Sequence, residues 1–309
     1  MRIKPFLTIS DVKSDSVVLG VTKRFRTDVP LPIDTHDYKR ELLVRAINAD
    51  ETIGNRLAEL GLLINDEPYV ERDSRTLSFL SLFTDSPLAK LAELRKQKIL
   101  VAGCGGLGSR IVLELASLGI RNLTVIDPDV LSESNIPRMF YVGSEDIDKK
   151  KVEIIEKKVR NINQDISFRG VYGCSEKFLL QENLSGFDFI FVTADGDDGA
   201  ALKRVGDHLR HEAVPHVPAG YWESTAIVGP IISCQSSVSL SDLYEKYSEP
   251  KRRTVQRDYI PPSIGFVNSI IAGMAINEFV KFAVFNASSL IDRQWQCDLI
   301  DLRTAIVPV

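Results

Sequence analysis

The sequence predicts an α/β protein with a doubly wound, mostly parallel sheet and a small α+β unit at its N-terminus. Two patterns carry that expectation. From Ile99 onward a strand, a glycine-rich turn, a helix and a second strand succeed one another, which is the alternation of a parallel sheet with crossover helices. In residues 1–70, by contrast, strand-like runs precede helical ones, as in a separate small domain.

The 309 residues suffice for one large domain and one small one. Apolar residues make up 44% and charged residues 26%, a composition that buries a core. Lys plus Arg at 38 against Asp plus Glu at 42 gives a formal charge of -4, without the basic bias of a non-specific nucleic-acid binder. Nucleic acid is therefore not an expected partner. The N-terminal run MRIKPFLTISD lacks a signal-type apolar segment, and no apolar stretch approaches the ~18 residues of a membrane span, so the expectation is a cytoplasmic protein with no membrane partner. Cys104, Cys174, Cys234 and Cys297 form no CxxC pair and read as free thiols in a reducing compartment.

Within the first unit, Ser16–Val21 reads as a strand, and Pro30-Leu31-Pro32 separates it from a helical stretch. In that stretch Leu42, Leu43, Ala46 and Ile47 fall at helical spacing between His36 and Ala49. A second helix begins near Asp50 and ends at Gly61, before a short strand at Leu62–Ile64. Strands with a helix, turn, helix and strand resemble a winged helix-turn-helix, a shape used for DNA or for holding a peptide along a strand edge. Ten Lys/Arg against eleven Asp/Glu in residues 1–70 favour peptide. A helical connector over 72–97 leads into the main domain. There, Ile99–Ala102 and Leu123–Ile126 are strands, Ile111–Leu118 and Lys149–Asn161 helices, Phe187–Thr193 a strand and Ser263–Phe285 a long helix.

The run Gly103-Cys104-Gly105-Gly106-Leu107-Gly108 sits between a strand and a helix, where its glycines bring backbone N–H groups close to phosphates. Asp127 ends the next strand, 19 residues after Gly108, where a carboxylate accepts ribose hydroxyls. Together they predict a Rossmann-like nucleotide site. The continuation through Asp129 to Asn135 and Arg138, with Lys151 beyond, is not what hydride transfer needs. Attack of a carboxylate on an α-phosphate builds negative charge there and on the departing pyrophosphate, which Arg, Lys and magnesium offset. Asp195, after the strand Phe187–Thr193, is a candidate magnesium ligand.

The set GCGGLG, LTVIDPDVLSESNIPR, KKKVEI and FVTAD resembles the ubiquitin-activating-enzyme-like superfamily of ThiF, MoeB and MccB over about residues 72–285. The resemblance implies an ATP- and magnesium-dependent adenylating enzyme, usually a homodimer. It implies Gly103, Gly105, Gly106 and Gly108 at the phosphates and Asp127 at the ribose, with Asp129 also among the nucleotide-binding residues. Asn135, Arg138 and Lys151 would line the triphosphate and Asp195 would bind magnesium. Arg75 of Arg72-Asp73-Ser74-Arg75 would act across the dimer. Lys149 and Lys150 read as solvated helix face.

The chain departs from the family in one respect. Cys234 is followed by Gln235-Ser236-Ser237, and Asp258–Pro262 holds no cysteine, so the two CxxC pairs of the family zinc site are broken and no zinc is expected. The loop 236–259, which carries a reactive cysteine in several relatives, has none here, and no His lies near Cys234 in sequence. Lys251-Arg252-Arg253 reads as a solvated charge run. Within the superfamily the added N-terminal unit is similar to that of the peptide-modifying members, MccB and the pantocin-maturing PaaA. Domains at 1–70 for leader-peptide recognition and 71–309 for adenylation are implied by that resemblance. So is activation of a precursor-peptide carboxylate, such as a glutamate side chain, for cyclisation in antibiotic biosynthesis. An activator of a ubiquitin-like sulfur carrier and a nucleotide-sensing regulator without catalysis stay open as alternatives.

Overall fold

A computed structural model of the chain describes residues 2–7, 9–13, 16–19, 25–27, 51–65, 71–194, 199–243 and 262–309. The chain forms two compact units, Met1–Glu93 and Leu94–Val309.

Among the described residues of the smaller unit are the short strands β1 (Arg2–Ile3), β2 (Ile9–Lys13), β3 (Ser16–Leu19), β4 (Phe25–Thr27) and β5 (Leu63–Ile64). β2, β3 and β4 make one antiparallel sheet, and β1 pairs antiparallel with β5. Helix α1 (Glu51–Glu59) stops at Gly61, whose φ of +66° suits glycine. The Gly61 N–H donates to Ala58 O and the Leu62 N–H to Leu57 O, capping the last turn and leading the chain into β5. Leu57, Leu62 and Ile64 are buried here. The expected helix over 36–49 and the Pro30–Pro32 step lie outside the described residues. The expected connector helix is two helices, α2 (Ser74–Leu80) and α3 (Pro87–Lys96). The Ser81 hydroxyl donates to Ser78 O at 2.7 Å, and Pro87, which has no N–H to give, starts the second helix.

The described residues of the larger unit form an eight-stranded sheet in the order β13-β12-β11-β10-β9-β6-β7-β8, with helices packed on it. Its strands are β6 (Lys98–Ala102), β7 (Asn122–Asp127), β8 (Ser167–Tyr172), β9 (Phe189–Val192), β10 (His216–Trp222), β11 (Thr225–Val228), β12 (Arg293–Asp298) and β13 (Thr304–Pro308). From β8 to β10 neighbouring strands are parallel, and β11, β12 and β13 add antiparallel. β6, β7 and β9 are nearly continuous buried apolar runs, because a parallel sheet is covered on both faces. Alternation along these strands sorts the layers. Leu100, Ala102, Ile190 and Val192 pack with α6 (Ser175–Gln181) and α7 (Gly199–Glu212). Phe189 and Phe191 instead meet Phe279 of α8 (Gly265–Phe285), with ring centroids 4.9 and 5.4 Å apart. Burial of each such ring contributes about 2–3 kcal/mol. α4 (Gly108–Leu118) packs against both α5 (Lys151–Ile162) and α8.

Among the described residues, α8 is the one helix long and apolar enough to cross a membrane, contrary to the sequence expectation that no stretch approaches that length. Half of it is buried in protein. Its inward Glu278, 3% exposed, accepts hydrogen bonds from Lys281 Nζ and Ser288 Oγ, both at 2.6 Å, as in a core helix. β8, α6, α7, β10, β12 and β13 have no counterpart among the elements expected from the sequence. β8 shows why, since most of its residues are exposed and it carries no apolar run to detect.

Candidate functional site

β6 is where the strand order turns: β7 and β8 lie to one side of it, β9 and β10 to the other. Loops leaving the carboxyl ends of β6 and β9 part at this point and open the crevice where such sheets take ligands. The glycine run leaves β6 there, and Thr193-Ala194 leaves β9.

Close backbone approach explains three of the glycines. Gly103 has φ +99°, and a Cβ there would lie 2.8 Å from Ala194 N. A Cβ on Gly108 would run into the Gly103 carbonyl and lie 2.6 Å from Thr193 Oγ1, a hydroxyl that donates to Ala102 O at 3.0 Å. A Cβ on Gly106 would meet Asn268 Nδ2 at 2.5 Å and Arg138 O at 3.1 Å. Gly105 differs, having nothing within 4 Å of its Cβ position. It leaves an open floor beside the N-terminus of α4, the positive end of the helix dipole.

Behind that floor Asp127 is 4% exposed. Its Oδ2 accepts the Cys104 N–H at 2.6 Å and its Oδ1 the Asp129 N–H at 2.9 Å. Burial pushes its carboxyl up from the ordinary value, while the Cys104 N–H, the Lys151 ammonium and the Asp129 N–H pull it back. Lys151 opens α5, and its Nζ donates to Asp129 Oδ2 at 2.7 Å. Lys149 and Lys150 are paired with Asp146 and Glu153 on the exposed face, as expected from the sequence.

Asn135 and Arg138 lie on a 3-10 helix, Glu133–Arg138. Asn135 is buried and its Oδ1 accepts the Ser132 N–H at 3.3 Å, so its carboxamide also shapes the turn. Arg138 stands beside Gly106, half-buried, its guanidinium without a hydrogen-bond or ion-pair partner among the described residues. Arg75 lies exposed on α2 in the smaller unit. Asp195 lies outside the described residues, and among those described no cluster of three or more His, Cys, Asp or Glu is arranged for a metal.

Burial also pushes the Cys104 thiol far up, which leaves it inert at the centre of the loop. Cys234 is exposed and lines a small cavity with buried His216. A separate cleft of about 560 Å³ between α4 and α5 is lined by Arg110, Glu114, Phe140, Tyr141 and Ile162.

Asn268, in the first turn of α8, carries no signal in the sequence that marks it as a site residue. It is fully buried against Gly106, and only the tertiary fold brings the long helix to the glycine loop. No spacing rule links positions so distant in the chain.

Comparison with known proteins bears on this geometry. The SAMP-activating enzyme E1 of Haloferax volcanii is 26% identical over 221 residues, covering 70% of this chain and 77% of that protein. The molybdopterin-synthase adenylyltransferase of Haemophilus influenzae is 25% identical over 190 residues, covering 61% and 77%. Among solved structures, E. coli MccB with ATP has a TM-score of 0.77 at 17% identity, covering 99% of this chain and 96% of that one. PaaA has a TM-score of 0.67 at 20% identity, covering 87% and 95%. The fold is thus that of adenylyltransferases of this type, as the sequence resemblance implies. Residues 75–309, which hold the whole crevice just described, match the ThiF family, and the chain belongs to it.

Proposed function

We propose that the protein uses ATP to adenylate a carboxylate of a ribosomally made precursor peptide, such as a glutamate side chain, in antibiotic biosynthesis in the cytoplasm. The observation that carries the adenylation reading is the open Gly105 floor, with buried Asp127 and its neighbour Lys151 close to the loop at Cys104 and Arg138 beside Gly106. Asp127 would accept the ribose hydroxyls. A carboxylate oxygen attacks the α-phosphorus, the bond to the bridging oxygen breaks, and pyrophosphate leaves. Arg138 and Lys151 offset the charge that develops, with Asn135 aiding through its amide. An amide or amine of the same peptide then attacks the acyl carbon, loses a proton and expels AMP, so proximity replaces a protein nucleophile. Magnesium, held by Asp195, would neutralise charge on the departing pyrophosphate.

The peptide substrate is supported by the residues ahead of Arg75. The likeness to MccB, which has been solved with the peptide MccA, extends over 99% of this chain and so includes the N-terminal unit. A homodimer is supported by apolar exposure on the larger unit, where Phe140 and Phe266 are each 66% exposed and Ile270 is exposed on α8. A second copy would cover this surface and bring Arg75 across. The alternative reading, activation of a ubiquitin-like sulfur carrier, is favoured by the sequence relatives.

Pyrophosphate exchange into ATP decides between them. It is measured with a precursor peptide encoded beside the gene and, separately, with a carrier protein ending in Gly-Gly, using Asp195→Ala as control. Exchange with the peptide alone, lost in the control, is expected. Exchange with the carrier alone overturns the peptide reading, and phosphate release without exchange overturns adenylation.

A further inference from the structure

Resting on the adenylation reading above, we propose that Asn268 is a substrate-positioning residue whose carboxamide holds the carboxyl-bearing end of the acyl substrate over Gly106.

Asn268 is fully buried, yet its Oδ1 has no hydrogen-bond partner among the described residues. Its Nδ2 reaches Ser263 Oγ only at 3.4 Å, the far limit of a hydrogen bond. Buried acceptors are rarely left unmade, and one that is calls for an explanation such as a ligand. Its position supplies one. Nδ2 lies 2.5 Å from where a Gly106 side chain would begin, so the amide forms a wall of the glycine loop next to Arg138. The same turn of α8 is an open helix N-terminus: Ile264 at its cap offers no side-chain hydrogen bond. Gly265 allows close passage, a Cβ there meeting Arg110 Nη2 at 2.8 Å and Pro137 O at 3.3 Å.

Hydrogen-bond chemistry separates the possible ligands. Triphosphate oxygens only accept, so they cannot satisfy Oδ1. The ribose hydroxyls already have Asp127. A peptide brings N–H donors close to its carboxyl oxygens, and a carboxamide matches that pair: Oδ1 accepts the N–H while Nδ2 donates to a carboxyl oxygen. Asn268 would orient the attacking carboxylate without reacting itself.

The test compares Asn268→Leu and Asn268→Ala with the wild type in pyrophosphate exchange, using whichever acyl substrate the wild type accepts. ATP affinity is measured by calorimetry, and melting is followed without ligand. In both variants the KM for the acyl substrate is expected to rise about tenfold or more, with ATP affinity changed less than about threefold. The ligand-free Leu variant should melt no lower than wild type, because an unpaired buried polar atom has been removed; a purely structural asparagine would lower it. An unchanged acyl KM in an active enzyme overturns this inference alone. So does a loss of ATP affinity matching the rise in KM, which would assign the amide to the phosphates. Wild-type silence with both acyl substrates overturns the adenylation reading and this inference with it.

Discussion

Lys151 and Asp129 form an unequal pair: Nζ and Oδ2 are 2.7 Å apart, but the lysine side chain is 6% exposed and the aspartate 59%. The exposed carboxylate is thus the hydrogen-bond partner of a buried ammonium at the edge of the crevice. Asp129→Ala removes the hydrogen-bonded partner of Lys151 and leaves it only the attraction of nearby Asp127, and should cost about 1–2 kcal/mol in urea denaturation, discounted for the solvent around Asp129. Lys151→Met removes the charge with its partner's need for it and should cost less. ATP should raise the melting temperature of Asp129→Ala more than that of the wild type, because phosphate replaces the missing counter-charge. Equal shifts would mean that Lys151 does not face the nucleotide.

The glycine loop separates folding from binding. Gly108→Ala puts a methyl group into the Gly103 carbonyl and Thr193 Oγ1, and should destabilise by about 2–3 kcal/mol. Gly105→Ala meets nothing in the protein and should change stability by less than about 0.5 kcal/mol. It should nevertheless weaken ATP binding about tenfold or more, since the methyl group would stand on the floor proposed for the phosphates. Urea denaturation and calorimetry on the two variants check both halves.

A partner-supplied arginine has a distinctive signature in mixed dimers. Arg75→Ala and Lys151→Ala should each abolish exchange. Co-expressed in equal amount they should recover up to about one quarter of wild-type activity, since half the dimers are mixed and each of these holds one intact site. If Arg75 serves its own subunit, the mixture stays inactive.

Acid should destabilise the larger unit through His216, which is 1% exposed and whose ring makes one hydrogen bond among the described residues, between Nδ1 and Val214 O at 2.8 Å. Burial pulls its pKa from 6.5 down to about 4. Between those values the unfolded chain takes up a proton that the folded chain refuses, so stability falls as pH falls from 6.5 to 4, by about 3 kcal/mol, and is unaffected above that window. His216→Asn keeps a donor for Val214 O but does not titrate. Its stability loss between about pH 7 and pH 4 in urea unfolding should be smaller than the wild type's by about that amount, and an equal loss would rule the histidine out.

The central part of the fold was legible because β6, the glycine run, α4 and β7 are local in sequence, and each has a strong pattern: a buried apolar run, a turn only glycine fits, an amphipathic helix. That Asp127, Arg138 and Lys151 lie near the glycine loop could be anticipated for the same reason, since they follow within about fifty residues of Gly103. The edge strands β8 and β13 were not, nor was β12 next to β13, because half-exposed strands carry no apolar period, and the break between α2 and α3 turned on Pro87 and a serine hydroxyl. α8 shows the division most clearly. Its apolar length is written in the sequence, and the same length would serve a membrane span. That it is a core helix, with Glu278 held by Lys281 and Ser288 at one end and Asn268 set against Gly106 at the other, was decided by tertiary packing. Sequence patterns record which residues shun water, whereas a partner distant along the chain is chosen only when the whole sheet closes around it.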